Sequence, residues 1–158
     1  MGTRPGTKSG KMTGVRRQGR SLAMKILYQS DLGGQSLDLI CSRFEEYLKA
    51  PERAREFART LADGVMGKKA DIDGKIVEAL KGWEFDRLAE VDKQLLRVAA
   101  FELLYCEDIS ANVTMDEAIE IAKTYSGEDA SRFINGVLAN ICRRYASHKV
   151  EKRETGNE

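Results

Sequence analysis

Apolar residues recur at helical spacing along almost the whole chain. Between Leu88 and Leu103, for example, they stand three or four residues apart, as on one face of an α-helix. No segment alternates apolar and polar residues over the length of a strand, and none carries the turn signal of a β-hairpin. This periodicity constrains the fold more than any other feature, and it predicts an all-α protein.

Seven apolar stripes are separated by signals that end or begin helices. Gly33-Gly34 ends the first helix, Pro51 fits the first turn of the third, and Gly127 ends the sixth. The pattern T-x-x-E from Thr114 to Glu117 is that of a capping box, so the sixth helix is predicted to start at Thr114. We expect a compact bundle of about seven helices in two packed sub-bundles that divide near residues 83–87. The stripes run over Leu22–Leu27, Leu37–Leu48, Phe57–Val65, Ile72–Trp83, Leu88–Leu103, Met115–Ala122 and Phe133–Tyr145.

The charge of the chain is unevenly distributed. Its net charge is only +1, yet the first 30 residues hold seven of the 26 Lys and Arg and none of the 25 Asp and Glu. A basic arm on an acidic body favours an anionic partner, with nucleic acid first, although a solvated tail has the same composition. Four glycines and a proline predict a disordered basic tail over residues 1–14. The helical domain is predicted over 15–147, and a polar C-terminal tail over 148–158.

The residues that most catalytic or metal sites need are scarce. His148 is the only histidine, and Cys41, Cys106 and Cys142 are far apart without metal-ligand or disulfide spacing. Asp71-Ile72-Asp73-Gly74 lacks the remaining carboxylates of a calcium loop. We therefore expect no catalysis, metal or cofactor, and free thiols in a cytoplasmic protein. No apolar run is long enough for a membrane span, and the N-terminus lacks the apolar core of a secretion signal.

Four segments, in order, resemble the NusB family of transcription antitermination proteins. They cover residues 16 to about 145. The first is the arginine-rich Arg16–Gln29, and the second is Val91–Leu104, which is similar to the central helix of the family. The third is Asp116–Lys123, and the fourth is Glu128-Asp129 followed by Arg132–Leu138. One segment alone would be weak evidence, whereas four in the family order are specific.

The resemblance implies a helical, non-enzymatic protein that binds the boxA element of nascent ribosomal RNA transcripts. It implies binding together with NusE, a ribosomal protein, within an RNA polymerase complex that reads through terminators. BoxA is single-stranded, and single strands are bound by cations along the phosphates and by planar side chains that stack on bases. The resemblance implies no small-molecule substrate, cofactor or membrane.

The resemblance also carries site residues over to this chain. Arg16, Arg17 and Arg20 would contact phosphates, with Arg16 and Arg20 on one helix face at i, i+4. Asp129 would lie near the RNA and temper its affinity. The expected contacts to NusE are Asp92 and Arg97. The remaining expected RNA contacts are cations and rings: Tyr28, Lys123, Tyr125, Arg132 and Phe133.

Several of these residues have a structural alternative. Tyr28 could be the edge of the core, and Phe133 could be ordinary core of the last helix, because both have apolar stripe neighbours. Tyr125 could pack over the end of the sixth helix. Asp92 and Arg97 could belong to a charge network within their own helix, with Lys93 and Glu90.

The sequence departs from the family pattern in three places, all of them near loops. Ser110-Ala111-Asn112 stands where relatives often have a proline, and Asp116 replaces the usual asparagine. Tyr125-Ser126 stands where a phenylalanine and a glycine are usual, with Gly127 one place later. These changes affect the loops, and the expected stacking role of Tyr125 depends on the loop geometry.

Two other functions fit parts of the sequence. A NusB-like domain also precedes the catalytic domain of some ribosomal RNA cytosine methyltransferases, but this chain ends about a dozen residues after the helices. A helical protein–protein adaptor would make the basic arm incidental, and it would bind RNA without sequence preference.

Overall fold

The computed structural model describes the backbone of residues 7–151 and the side chains of residues 14–151. Within this range the chain forms eight α-helices, two short 3-10 helices and no strand, which confirms the all-α prediction. None of these helices is long and apolar enough to cross a bilayer. The 3-10 helices span Phe85–Arg87 and Ser147–Lys149. The α-helices are α1 (Thr7–Gly33), α2 (Leu37–Arg43), α3 (Glu45–Lys49), α4 (Glu52–Gly67), α5 (Lys69–Ala79), α6 (Glu90–Tyr105), α7 (Ala111–Tyr125) and α8 (Glu128–Tyr145).

The chain divides into two compact units between Gly67 and Lys68, so the predicted division near residues 83–87 is wrong. Helix α5 belongs to the C-terminal unit because it packs on α6 and α8. The carboxylate of Asp73 on α5 accepts hydrogen bonds from Nε and Nη2 of Arg97 on α6, each at 2.8 Å. Since α4 and α5 follow each other almost directly, no composition typical of a linker marks the boundary in the sequence.

In the N-terminal unit, α1 packs along α4 and against α2. Leu22, Ala23, Ile26 and Leu27 form the buried stripe of α1, as predicted. The facing stripe of α4 is rich in small residues, which lets the two helix backbones approach closely and bury apolar surface. Its buried residues are Ala54, Ala58, Leu61, Ala62 and Val65.

The second predicted helix is interrupted at Phe44. This residue has an extended backbone (φ −83°, ψ 104°), so α2 ends before it and α3 begins after it. The N-cap of helix α2 is Ser36, whose hydroxyl accepts a hydrogen bond from the amide of Leu39 at 3.1 Å. The apolar spacing continues across Phe44, which explains why the sequence predicts one helix here.

Helix α6 is the centre of the C-terminal unit. It packs on α5, α7 and α8, and every residue from Gln94 to Ala100 is buried. Its polar groups find partners inside the unit. Besides Arg97 with Asp73, the carboxylate of Glu102 accepts a hydrogen bond from the hydroxyl of Thr114 on α7 at 2.8 Å.

The predicted capping box at Thr114 is wrong. Helix α7 begins at Ala111, and its N-cap is Ser110, whose hydroxyl accepts a hydrogen bond from the amide of Val113 at 3.2 Å. Thr114 lies one turn inside the helix and is buried, with its hydroxyl donating to Glu102. Thr114 fits the T-x-x-E pattern, but it joins α7 to α6 and does not cap a helix.

Parts of both predicted tails lie within the described residues. Helix α1 begins at Thr7, within the stretch predicted to be disordered, while residues 1–6 and 152–158 lie outside the described part of the chain. The fold also continues past residue 147, because Lys149 is buried. Its ammonium donates to the carbonyl oxygens of Glu102 and Cys106, both at 2.7 Å, and of Leu103 at 3.3 Å. A cation at this position satisfies the carbonyl groups in the last turn of α6, and it is stabilised by the negative end of the helix dipole.

The three cysteines are free thiols, as expected from their spacing. Cys41 and Cys142 are buried, whereas Cys106 is partly exposed. Burial raises the pKa of the thiols of Cys41 and Cys142, which lowers the fraction of reactive thiolate. Cys106 is therefore the thiol most open to modification.

We expect the substitution Lys149→Met to destabilise the protein by about 2 kcal/mol, because three carbonyl groups lose a charged donor while the apolar stem is kept. Urea unfolding followed by circular dichroism measures this change. Lys123→Met, which removes an exposed lysine from α7, serves as the control and should change stability by less than about 0.5 kcal/mol. Equal midpoints for the two variants would show that Lys149 does not stabilise α6.

Candidate nucleic-acid interface

The basic arm predicted from the sequence continues into the described part of α1. The guanidinium carbons of Arg16 and Arg20 lie 4.8 and 5.2 Å from the centre of the Phe57 ring. Both arginines therefore share one helix face, as their i, i+4 spacing predicts. Arg17, between them on the helix, is half-buried.

The three arginines differ in exposure. Arg16 is exposed, but Arg20 is only 3% exposed. A guanidinium that is covered in this way can hold α1 against Phe57 and contribute positive potential, whereas the more exposed Arg16 can contact a phosphate directly. Tyr28, two turns further along α1, is 37% exposed, while its neighbour Leu27 is buried. Tyr28 thus lies at the edge of the core with part of its ring accessible.

The close approach of α1 to α4 depends on Gly19. A Cβ atom at this position would lie 2.9 Å from Cδ2 of Phe57 and 3.1 Å from the carbonyl oxygen of Ala54. Both distances are shorter than ordinary van der Waals contact. The absence of a side chain at Gly19 therefore sets the distance at which Arg16 and Arg20 stack on Phe57.

The other predicted RNA contacts lie in the C-terminal unit, where α7 ends and α8 begins. Gly127 joins the two helices with a φ of 101°, a conformation that favours glycine. Tyr125, before this turn, is exposed, and Lys123 lies 3.8 Å from Glu120 in an exposed ion pair. The turn thus presents a ring and a cation at one end of the unit.

The first turn of α8 combines acids and a base. Asp129 and Glu128 stand at the positive end of the helix dipole, where carboxylates are stabilised. Arg132 forms an exposed ion pair with Asp129 and lies 4.0 Å from Glu128. Asp129 therefore competes for the same guanidinium that a phosphate would use.

Phe133 is neither ordinary core nor fully exposed. Its ring meets that of Trp83 edge to face, with centres 5.1 Å apart and an angle of 61° between the planes. Trp83 follows the end of α5 and is 61% exposed, so its predicted place on a buried stripe is wrong. Sequence reasoning missed Trp83 as a surface residue, although Gly82 before it breaks the helical spacing.

The two residues expected to contact a protein partner are both engaged within the C-terminal unit. Arg97 is only 5% exposed and pairs with Asp73, and its guanidinium carbon lies 5.3 Å from the centre of the Phe85 ring. Asp92 is half-buried and accepts a hydrogen bond from the hydroxyl of Ser126 at 2.6 Å. The pairing of Arg97 thus joins two helices and is not confined to its own helix. The Glu90–Lys93 pair does lie within α6, at 3.7 Å.

The fold and these surfaces define a class: an all-helical protein whose exposed cations and aromatic rings suit contact with a nucleic acid. A model described as NusB family matches residues 17–143, which is most of the chain. The chain therefore belongs to the NusB family.

Relatives from several bacteria support this assignment. A transcription antitermination protein NusB from Bacillus mycoides is 44% identical over 126 residues, which cover 80% of this chain and 95% of that protein. One from Heliobacterium modesticaldum is 39% identical over 137 residues, which cover 87% of this chain and 66% of that protein. The similarity therefore extends over most of the helical units.

Solved structures agree with the sequence comparison. NusB of T. maritima has a TM-score of 0.76 and 36% identity, covering 85% of this chain and 95% of that chain. A structure of antitermination factors NusB and NusE in complex with double-stranded RNA has a TM-score of 0.75 and 30% identity, covering 83% of this chain and 98% of that chain. Both matches extend beyond either unit alone.

The substitution Gly19→Ala should destabilise the protein by about 1–3 kcal/mol, because the added methyl group forces α1 away from Phe57 and the backbone of α4. In an open helix the same change is stabilising by about 0.5–1 kcal/mol. Gly74→Ala on α5, where no atom lies within 4 Å of the new Cβ, is the matched control. Thermal unfolding shows whether each variant is less or more stable than the parent protein. Stabilisation by Gly19→Ala would contradict the close packing of α1 on α4.

Proposed function

We propose that this chain is an RNA-binding transcription antitermination factor. It binds boxA-type single-stranded RNA of nascent ribosomal RNA transcripts together with NusE, and it promotes read-through by RNA polymerase. The observation that carries the proposal is the match to the NusB family over residues 17–143. Relatives that carry the name transcription antitermination protein, and a related structure that holds NusE and RNA, support it.

In the N-terminal unit, we assign phosphate contact to Arg16 and Arg17. Arg16 is exposed, and its guanidinium group lies against the Phe57 ring, so less side-chain freedom is lost when it binds a phosphate. The burial of Arg20 supports a positioning role in which its charge adds to the local potential. Tyr28 offers part of its ring for stacking.

In the C-terminal unit, Lys123 and Arg132 supply cations, while Tyr125 and Phe133 supply rings. The exposed pair between Arg132 and Asp129 gives Asp129 a defined effect. A phosphate that binds Arg132 must displace the carboxylate or tolerate it nearby, so Asp129 lowers affinity for any strand. Specificity then rests on the base contacts.

NusE is proposed to bind near the start of α6, where Asp92 is partly accessible. Arg97 is covered by its own unit, so it supports this surface through Asp73 and Phe85. The proposal includes no catalytic step and places the protein in the cytoplasm, where bacterial transcripts are made. A helical adaptor without RNA preference is the alternative that the binding experiment excludes.

The first test is fluorescence anisotropy of a labelled boxA strand, a scrambled strand and a boxA duplex, at physiological salt, with and without NusE. Tighter binding of the boxA strand that NusE strengthens further is the expected result. Weak binding of all three RNAs, indifferent to NusE, would overturn the proposal, because any cationic arm binds RNA without preference.

The double substitution Arg16→Ala with Arg17→Ala should weaken binding of boxA and scrambled RNA alike, and it should lower the slope of log affinity against log salt by about 1–2. Arg43→Ala with Lys49→Ala removes two exposed cations from α2 and α3 of the same unit, and so changes the net charge equally. Salt titrations of both variants test the role of the arm. An identical loss of RNA affinity in the two variants would show that only the net charge of the protein matters and not the position of the arm.

A further inference from the structure

An open groove lies on the C-terminal unit between the end of α5 and the middle of α8. Its volume is about 400 Å³, within the range of roughly 300–1,000 Å³ found for small-ligand sites. Leu80 and Val137, both buried, contribute to its apolar lining. The rings of Trp83 and Phe133 line the same groove. The site therefore has room and apolar surface for one planar group.

The backbone before Trp83 is held in a defined conformation. Gly82 has a φ of 81°, which favours glycine and turns the chain out of the direction of α5. The side-chain amide of Asn140 on α8 donates to the carbonyl oxygen of Ala79 at 3.1 Å, which ties the end of α5 to α8. Trp83 thus presents a large exposed ring from a positioned loop, with Phe133 supporting its edge.

The charge of the groove has one sign. Lys81, Arg132 and Arg143 line it, and no acidic residue does. Arg143 donates to the side-chain oxygen of Asn140, a neutral partner, so its positive charge is not neutralised by that contact. Arg132 is the exception, because Asp129 and Glu128 at the start of α8 partly compensate it. A ligand with a flat apolar part and a negative group complements these residues.

We propose that this groove binds one unpaired nucleotide of an RNA strand, with the base stacked on Trp83 and the adjoining phosphate held by Lys81 and Arg143. The proposal rests on the RNA-binding function proposed above and adds Trp83 to its contacts. An acidic peptide would satisfy the cations alone, whereas a nucleotide also covers the exposed indole. Stacking on an aromatic ring suits any base, so this contact adds affinity for single strands over duplexes.

Trp83 is the only tryptophan in the chain, so its fluorescence reports on this groove alone. Titration of the full chain with unlabelled boxA RNA should quench this emission. The midpoint of the quenching curve should equal the midpoint of boxA binding measured by anisotropy. Trp83→Ala should weaken binding of the single strand about tenfold. Trp83→Phe should recover most of the affinity because a ring is retained. Unchanged thermal unfolding of both variants would show that the fold is intact.

Two adjacent arginines on α8 provide a matched control for charge. Arg143 lines the groove, whereas Arg144 lies 3.1 Å from Glu78 in an exposed ion pair. A hydrogen bond from the hydroxyl of Tyr145, together with Arg144, holds the pKa of Glu78 below its ordinary value. Arg143→Ala should lower the salt slope by about one, while Arg144→Ala should leave it unchanged.

The outcomes separate the groove from the wider function. Preferential boxA binding with unquenched tryptophan and an unaltered Trp83→Ala affinity would overturn the groove proposal and leave antitermination standing. If boxA is not preferred, the antitermination proposal fails, and the groove is then judged by quenching with the scrambled strand. A poly-glutamate peptide that quenches Trp83 as strongly as RNA, at equal charge, would overturn the assignment to a nucleotide.

Discussion

The C-terminal unit depends on the burial of helix α6. Because the residues from Gln94 to Ala100 are all covered, each polar group in or near this stretch needs a partner inside the protein. Asp73 of α5 pairs with Arg97, and Thr114 of α7 donates to Glu102. These interactions fix the neighbours of α6 in register. The geometry of the turn at Gly127 and of the groove beside Trp83 depends on the helices that pack against α6.

Helical periodicity predicts the elements of this fold well because most apolar stripes face the interior of their own unit. It fails where a distant residue decides the outcome. The spacing from Leu37 to Leu48 is continuous, yet the extended backbone of Phe44 divides it into two helices. The pattern beginning at Thr114 has the composition of a helix start. The hydroxyl of Thr114 is nevertheless buried, because it donates a hydrogen bond to Glu102, twelve positions earlier. A local pattern carries no information about such a partner.

The candidate interface also combines features that local spacing predicts with features that depend on distant residues. Resemblance to the family identifies which cations and rings to consider, and helical spacing correctly places Arg16 and Arg20 on one face. Exposure could not be predicted, because the burial of Arg20 beneath Phe57 and of Arg97 beside Asp73 depends on other helices. Trp83 was placed on a buried stripe since the spacing from Ile72 allows it. The left-handed backbone of Gly82 ends that stripe and leaves the indole in solvent.

The position of Lys149 has a consequence for shortened forms of this protein. The sequence predicts only a polar tail over residues 148–158. A protease cut or a premature stop after residue 147 would nevertheless withdraw the ammonium group from the carbonyl oxygens of Glu102, Leu103 and Cys106. The end of the central helix would then be left with unsatisfied acceptors. Only forms that extend at least to Lys149 keep these hydrogen bonds to the end of α6.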